Sequence, residues 1–318
     1  MNRRIATALA GASVLLTMLA ACGDSGSSSS GDSGGSKADT ATIAGNLKLG
    51  GGPEFATRAD GVPGLEKTYG VVFSSFSKLD AGGPLTVAAL KNGDVDAANI
   101  FTTDASIKAN GFVVLEDPKN LYVAQNVLPL LSEAKATDGV KKTLNAISAK
   151  LTTDDLVDLN EQVSVEKQDP ATAAKAWLAD KGLDKTGTDA AGQTLKVGSA
   201  NFSENVILAD IYAQALQAQG ATVTTQLDIG AREAYLKGLQ DGSIDLIPEY
   251  TGGLLAYYDK SSKAVSSDDV FAALPGALPS GLVVLDKSAA EDKDAIVVTK
   301  ETADKYKLVT IADLAKKS

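Results

Sequence analysis

Two stretches of this chain repeat one another, and the repeat limits the fold more than any other feature. Leu47-Lys48-Leu49-Gly50 reads as a short strand ended by glycine. Leu90-Lys91-Asn92-Gly93-Asp94-Val95-Asp96 then closes a helix, turns and starts another strand. The pattern returns as Leu195-Lys196-Val197-Gly198, followed by Leu239-Gln240-Asp241-Gly242-Ser243-Ile244-Asp245. The spacings from Leu49 to Val95 and from Val197 to Ile244 differ by one residue. Short Val/Ile/Leu runs alternating with longer helical patterns build β-α-β units and mainly parallel sheets. Two such units predict an α/β chain of two similar lobes, each a mainly parallel sheet flanked by helices. Ligands of such sheets bind beyond the carboxyl ends of the strands, here in the cleft where the lobes meet.

The clearest helix begins at Ser203, a good N-cap residue, and buries Ile207, Ile211 and Ala215 beside Leu208, Tyr212 and Leu216. Further helices are expected over about 231–239 and 170–181, the latter opened by Pro170 and carrying the sole tryptophan, Trp177, as a packing anchor.

Ahead of these elements lies the single cysteine, Cys22. Arg3 and Arg4, a short apolar run and Leu19-Ala20-Ala21 have the layout of an export signal. The run is too short to read as a transmembrane helix. Its Leu-Ala-Ala-Cys ending resembles the bacterial lipobox, which implies a signal peptide over 1–21 and a lipid-modified Cys22. Residues 22–43, dominated by Gly, Ser and Asp, read as a flexible tether. The chain contains no histidine. With Cys22 assigned to the anchor, thiol catalysis, zinc sites with His or Cys ligands and histidine-based triads are excluded, and so is an internal disulfide. A formal net charge of −10 argues against nucleic acid and against a polybasic membrane patch. No carboxylate pair stands at a credible acid/base spacing, so no enzyme activity, cofactor or metal is expected.

Two segments suit the loops of a ligand cleft. Gly198-Ser199-Ala200-Asn201-Phe202-Ser203-Glu204-Asn205 joins a strand to a helix, and its free backbone N–H groups could hold a carboxylate. Asp245-Leu246-Ile247-Pro248-Glu249-Tyr250-Thr251-Gly252-Gly253 runs from a strand end into a Pro- and Gly-marked loop. With Gly51-Gly52-Pro53-Glu54-Phe55, Arg58-Ala59-Asp60-Gly61, Thr103-Asp104 and Leu159-Asn160-Glu161-Gln162-Val163, they resemble the glycine betaine/choline (osmoprotectant) substrate-binding lipoproteins of ABC importers. The resemblance covers about 45–183 and 194–318. It implies a two-lobed, type II periplasmic-binding-protein-like fold. It also implies capture of a small quaternary-ammonium or zwitterionic osmolyte by lobe closure, delivery to ABC permease and ATPase subunits, and an extracytoplasmic, lipid-anchored location on the cytoplasmic membrane. A ligand-sensing or structural lipoprotein, or an enzyme on the same scaffold, is the alternative.

In that family the segment with Asn-Phe-Ser-Glu and Glu-Tyr-Thr-Gly normally comes first. Here it comes second, which implies a circularly permuted order joined through about 184–192. The expected lobes are then 44–125 plus 300–318, carrying Arg58 and Phe101, and 126–299, carrying Tyr250 and Asp294. The family's cage of tyrosines around a quaternary ammonium matches Tyr250, Asp294, Phe101 and Gln125 here, so one tyrosine and one phenylalanine remain. Tyr250 and Phe101 are expected to cover the methyl groups by cation–π contact, Asp294 to pair with the cation and Arg58 to hold a carboxylate or hydroxyl. Asn205 and Thr251 join the candidates from the two loops. For Phe101 the alternative is core packing, for Asp294 a solvated acidic run, for Arg58 a lobe-stabilising ion pair, and for Gln125 a hinge.

Overall fold

A computed structural model of the protein describes residues 38–318. Cys22, the signal peptide and most of the tether lie outside the described residues. The first half of the chain supplies β1 (Lys48–Gly51), α1 (Val62–Tyr69), β2 (Ser75–Lys78), α2 (Pro84–Asn92), β3 (Ala97–Phe101), α3 (Ala105–Asn110) and β4 (Val113–Val114). The chain then crosses to the other lobe as β5 (Val127–Ser132), followed by α4 (Asp138–Ser148), α5 (Thr153–Asn160) and α6 (Pro170–Asp180). The second half runs through β6 (Thr194–Gly198), α7 (Ser203–Ala218), β7 (Thr222–Gln226), α8 (Arg232–Asp241), β8 (Leu246–Tyr250), α9 (Thr251–Tyr258), α10 (Ser267–Ala277) and β9 (Leu282–Val284). It returns to the first lobe as β10 (Asp294–Val298) and α11 (Lys300–Tyr306).

The repeat read in the sequence is a repeat of topology. One sheet has the order β2-β1-β3-β10-β4 and the other β7-β6-β8-β5-β9. β1 pairs parallel with β2 and β3, and β6 parallel with β7 and β8, as β-α-β connections require. The fourth strand of each sheet is antiparallel and comes from the other half of the chain: β10 in the first sheet, β5 in the second. The sheets are therefore mixed rather than mainly parallel. Because β10 belongs to the first sheet, Asp294 sits on the lobe of Arg58 and Phe101, and the expected boundary at residue 299 is wrong for this strand. A direct crossover strand pairs at long range, and nothing local in 290–300 records which sheet receives it.

Each lobe has its own apolar filling. Leu49, Phe55, Leu65, Ile296 and Ile311 pack on one face of the first sheet, and Leu90, Ile100 and Val297 on the other. α7 is buried almost all round, because it lies between the second sheet and α4, α5 and α6. It starts at Ser203 with Phe202 in the cap position and no side-chain cap, so Ser203 is the first helical residue rather than the N-cap. Trp177 is buried among the α7 and α4 side chains, as a packing anchor should be. Residues 184–192 form neither helix nor strand. Near its C-terminal end the chain makes a 3-10 turn over Ile311–Ala315. Its exit pairs with the start of the described chain: Ile43 N donates to Lys316 O at 2.8 Å and Ser318 N to Ala41 O at 3.0 Å.

Two crossing segments, 115–126 and 285–293, join the lobes and lie side by side, with Asn126 bridged to Glu291. Asn126 is buried; its Nδ2 donates to Ser288 O at 3.0 Å and its N–H to Thr251 Oγ1 at 3.0 Å.

Candidate functional site

A cavity of about 410 Å³ opens between the lobes, within the usual range for a small-molecule site. The first lobe lines it with Phe101 at the end of β3, Thr103 and the start of α3. The second lines it with Phe202, Ser203 and Glu204 at the start of α7, and with Asn160 and Val165. Residues Glu161–Val165 form a π-turn continuing α5, a local widening that turns Ser164 and Val165 toward the cavity. Asp292, on the returning crossover, completes the lining. The loops thus lie where the strand-to-helix turns of the two repeats face one another.

The apolar part of the wall is aromatic. Phe101 and Phe202 are 38% and 43% exposed, unusual for phenylalanine in a folded chain, and both lie on this cavity. Gly82, at φ +70°, lets the Phe101 ring lie over the backbone, where a Cβ would approach it to 3.3 Å. Phe202 packs at a tilt on the Tyr250 ring with centroids 5.9 Å apart. Tyr250 is itself buried, and its hydroxyl donates to Glu204 Oε1 at 2.6 Å. It supports the wall from behind.

The polar part is acidic. Glu204 is buried; Asn160 Nδ2 donates to its Oε2 at 2.7 Å and to Thr103 O across the cleft at 3.0 Å. Thr103 Oγ1 donates to Asp292 Oδ1 at 2.9 Å and also lies against the Glu204 carboxylate. Burial raises the Glu204 carboxyl above its ordinary range against the pull of its hydrogen bonds. Burial, followed by the charge of Glu204, pushes Asp292 up to about 8. Both acids thus lie on the cavity wall with burial working against their charge. Among the described residues no lysine or arginine lines the cavity.

The expected site residues divide sharply. Phe101 lines the cavity and Tyr250 stands directly behind it. Arg58 and Asp294 bind one another, Nη2 to Oδ2 at 2.8 Å, and Asn99 Nδ2 donates to the second Asp294 oxygen at 2.9 Å. Arg58 Nε also lies 2.7 Å from Asp60. Neither the arginine fork nor the Asp294 charge lines the cavity, so the lobe-stabilising ion pair is the arrangement observed. Asn205 ties the loop to the sheet, accepting from Ala200 N at 2.8 Å and donating to Pro248 O at 3.0 Å. Gln125 Oε1 accepts from Gly253 N, and Thr251 Oγ1 donates to Ala124 O at 3.1 Å, so both secure the crossing segment. Sequence reasoning missed Phe202, Glu204, Asn160, Thr103 and Asp292 as wall residues, although each stood in a quoted motif or acidic run. A glutamate in the first turn of a helix reads as a dipole partner, and only tertiary burial gives it another role.

Two α/β lobes joined by paired crossing segments, with a cleft lined from both, have the two-lobed fold of the type II periplasmic binding proteins. The chain belongs to the family described as the substrate binding domain of ABC-type glycine betaine transport systems, whose model matches residues 35–180 and 193–318. It is 31% identical over 148 residues to the glycine betaine-binding protein YehZ of Escherichia coli strain K12, covering 44% of this chain and 48% of that one. The ergothioneine transport permease/ergothioneine binding protein EgtU of Helicobacter pylori is 29% identical over 153 residues, 46% of this chain and 26% of its own. The carnitine transport binding protein OpuCC of Listeria monocytogenes is 26% identical over 121 residues, 37% and 39% respectively. The chain spans about half or less of the length of each of these relatives.

Proposed function

We propose that this chain is the extracytoplasmic ligand-capturing component of an ABC importer for a small quaternary-ammonium or zwitterionic osmolyte of the glycine betaine, choline, carnitine or proline class. The cavity between the lobes carries this reading: it joins exposed aromatic faces to the buried Glu204 and half-buried Asp292 carboxyls in a space suited to such a molecule. The family membership supports it, as do relatives named for glycine betaine, carnitine and ergothioneine. The ligand touches Phe101 and Thr103 on one lobe and Phe202 and Glu204 on the other, so it favours the closed arrangement and presents a closed protein to a permease and its ATPase. Cys22 carries the lipid that holds the protein at the outer face of the cytoplasmic membrane. Calorimetric titration of the purified chain with glycine betaine, choline, carnitine and proline tests the reading. Binding of at least one in the micromolar range is expected, and silence from all four refutes it. Labelling with a radioactive fatty acid should mark the native chain and not Cys22→Ala; equal labelling of both removes the anchor.

A further inference from the structure

The acid pair has a consequence for what the cleft accepts. Thr103 gives its hydroxyl proton to Asp292, while Glu204 accepts from Asn160 Nδ2 and from the Tyr250 hydroxyl, so both acids on the cavity wall are held by neutral donors alone. Other charges nearby do not supply a cation. Arg58 is held between Asp294 and Asp60, Lys293 lies 3.1 Å from Glu291, and Lys108 of α3 pairs with Asp158 and Glu161. Asp104 caps α3 through Ser106 N, and the Tyr250 hydroxyl points to Glu204. The cavity therefore offers negative charge from both sides and nothing positive from a side chain.

We propose that Glu204 and Asp292 are the charge-selecting residues of the cleft: they hold one proton in the ligand-free protein, release it to solvent when an organic cation enters, and thereby favour a cation without a carboxylate over a zwitterion of similar size. The exchange balances in charge, one cation in and one proton out. A zwitterion brings a carboxylate that finds no lysine or arginine on the wall and faces two acids instead. Phe101 and Phe202 give the alkyl groups an apolar, cation-tolerant surface while the carboxylates supply the attraction.

The inference rests on the osmolyte reading, and its test separates the two. Choline and glycine betaine, which share a trimethylammonium group, are titrated calorimetrically into the full chain at pH 6, 7 and 8 in phosphate and in Tris. Choline is expected to bind more tightly than glycine betaine, by about tenfold or more. Its binding should release close to one proton at pH 7, and its affinity should rise by up to about tenfold per pH unit between 6 and 7. Asp292→Asn should lose the proton release and the pH slope, and should bind choline about tenfold more weakly at pH 8. A structural role alone would not move the proton count. Where Asp292→Asn fails to fold by circular dichroism, Glu204→Gln is read in the same way. Glycine betaine binding as tightly as choline with no buffer dependence overturns the charge selection and leaves the osmolyte reading standing. Silence from both these probes, together with carnitine and proline, overturns both.

Discussion

Replacing Arg232 by methionine should expose how heavily the floor beneath Tyr250 depends on one buried charge. Glu249 is fully buried on β8 and accepts four hydrogen bonds: from Arg232 Nε at 2.7 Å and Nη2 at 3.0 Å, from the Tyr235 hydroxyl at 2.7 Å and from Tyr250 N at 2.7 Å. Methionine keeps the aliphatic stem and removes the guanidinium, so the carboxylate stays buried with two neutral donors and no cation. Breaking a buried pair by removing one partner costs about 3–5 kcal/mol, and that is the expected loss at pH 7. The penalty should shrink as pH falls, because protonating the stranded carboxyl removes the buried charge. Glu249→Gln differs. It leaves a guanidinium whose side chain is already 27% exposed and can turn to water, so about 1–3 kcal/mol is expected, with little pH dependence. Urea unfolding of both variants at pH 5 and pH 7 makes the comparison. A loss under about 1 kcal/mol for Arg232→Met at pH 7, or one unchanged at pH 5, would refute the reasoning.

Asp210, buried on α7, is raised to about 6 by burial and then by the charge of Asp169. An acid raised on folding binds its proton more firmly in the native state. Its contribution is thus full below about pH 4 and lost as pH rises through about 6, by at most about 3 kcal/mol. Asp210→Asn should flatten that part of the stability–pH curve, and an unchanged slope counts against the assignment. Asp294→Asn should cost about 1 kcal/mol of stability through the partly exposed Arg58 pair and leave the ratio of choline to glycine betaine affinity unchanged. A selective loss of choline binding would return Asp294 to the ligand.

The architecture was legible in the sequence wherever it is local. Paired strand–glycine patterns around Leu49 and Val197, the α7 apolar face and the Pro170 helix start all lie where short-range chemistry puts them. The two-lobed class followed from their repetition. The return of β10 was not legible, because it chooses its sheet by pairing with β3, far away in the chain, whereas β5 lies in the lobe expected for it. The site was legible in its loops and not in its roles. Phe101 lines the cavity and Tyr250 stands behind it, whereas Arg58 and Asp294, assigned opposite duties, meet each other. Thr103, Asn160, Glu204 and Asp292 become one cluster only when four distant segments converge, and the burial that gives them their chemistry has no counterpart in a linear pattern.

The return of β10 makes the two lobes unequal. The second sheet is built from one continuous stretch, 127–284, whereas β10 fills an interior position between β3 and β4 and reaches it only after the whole second lobe has been traversed. The second lobe can complete its sheet from its own segment, and the first needs strands from both ends of the chain. Opening of the cleft can bend the crossing segments at Asn126 and Glu291 but cannot unpair the strands beyond them. The molecule therefore breathes at its waist, and loss of the C-terminal stretch would open the first sheet while leaving the second complete.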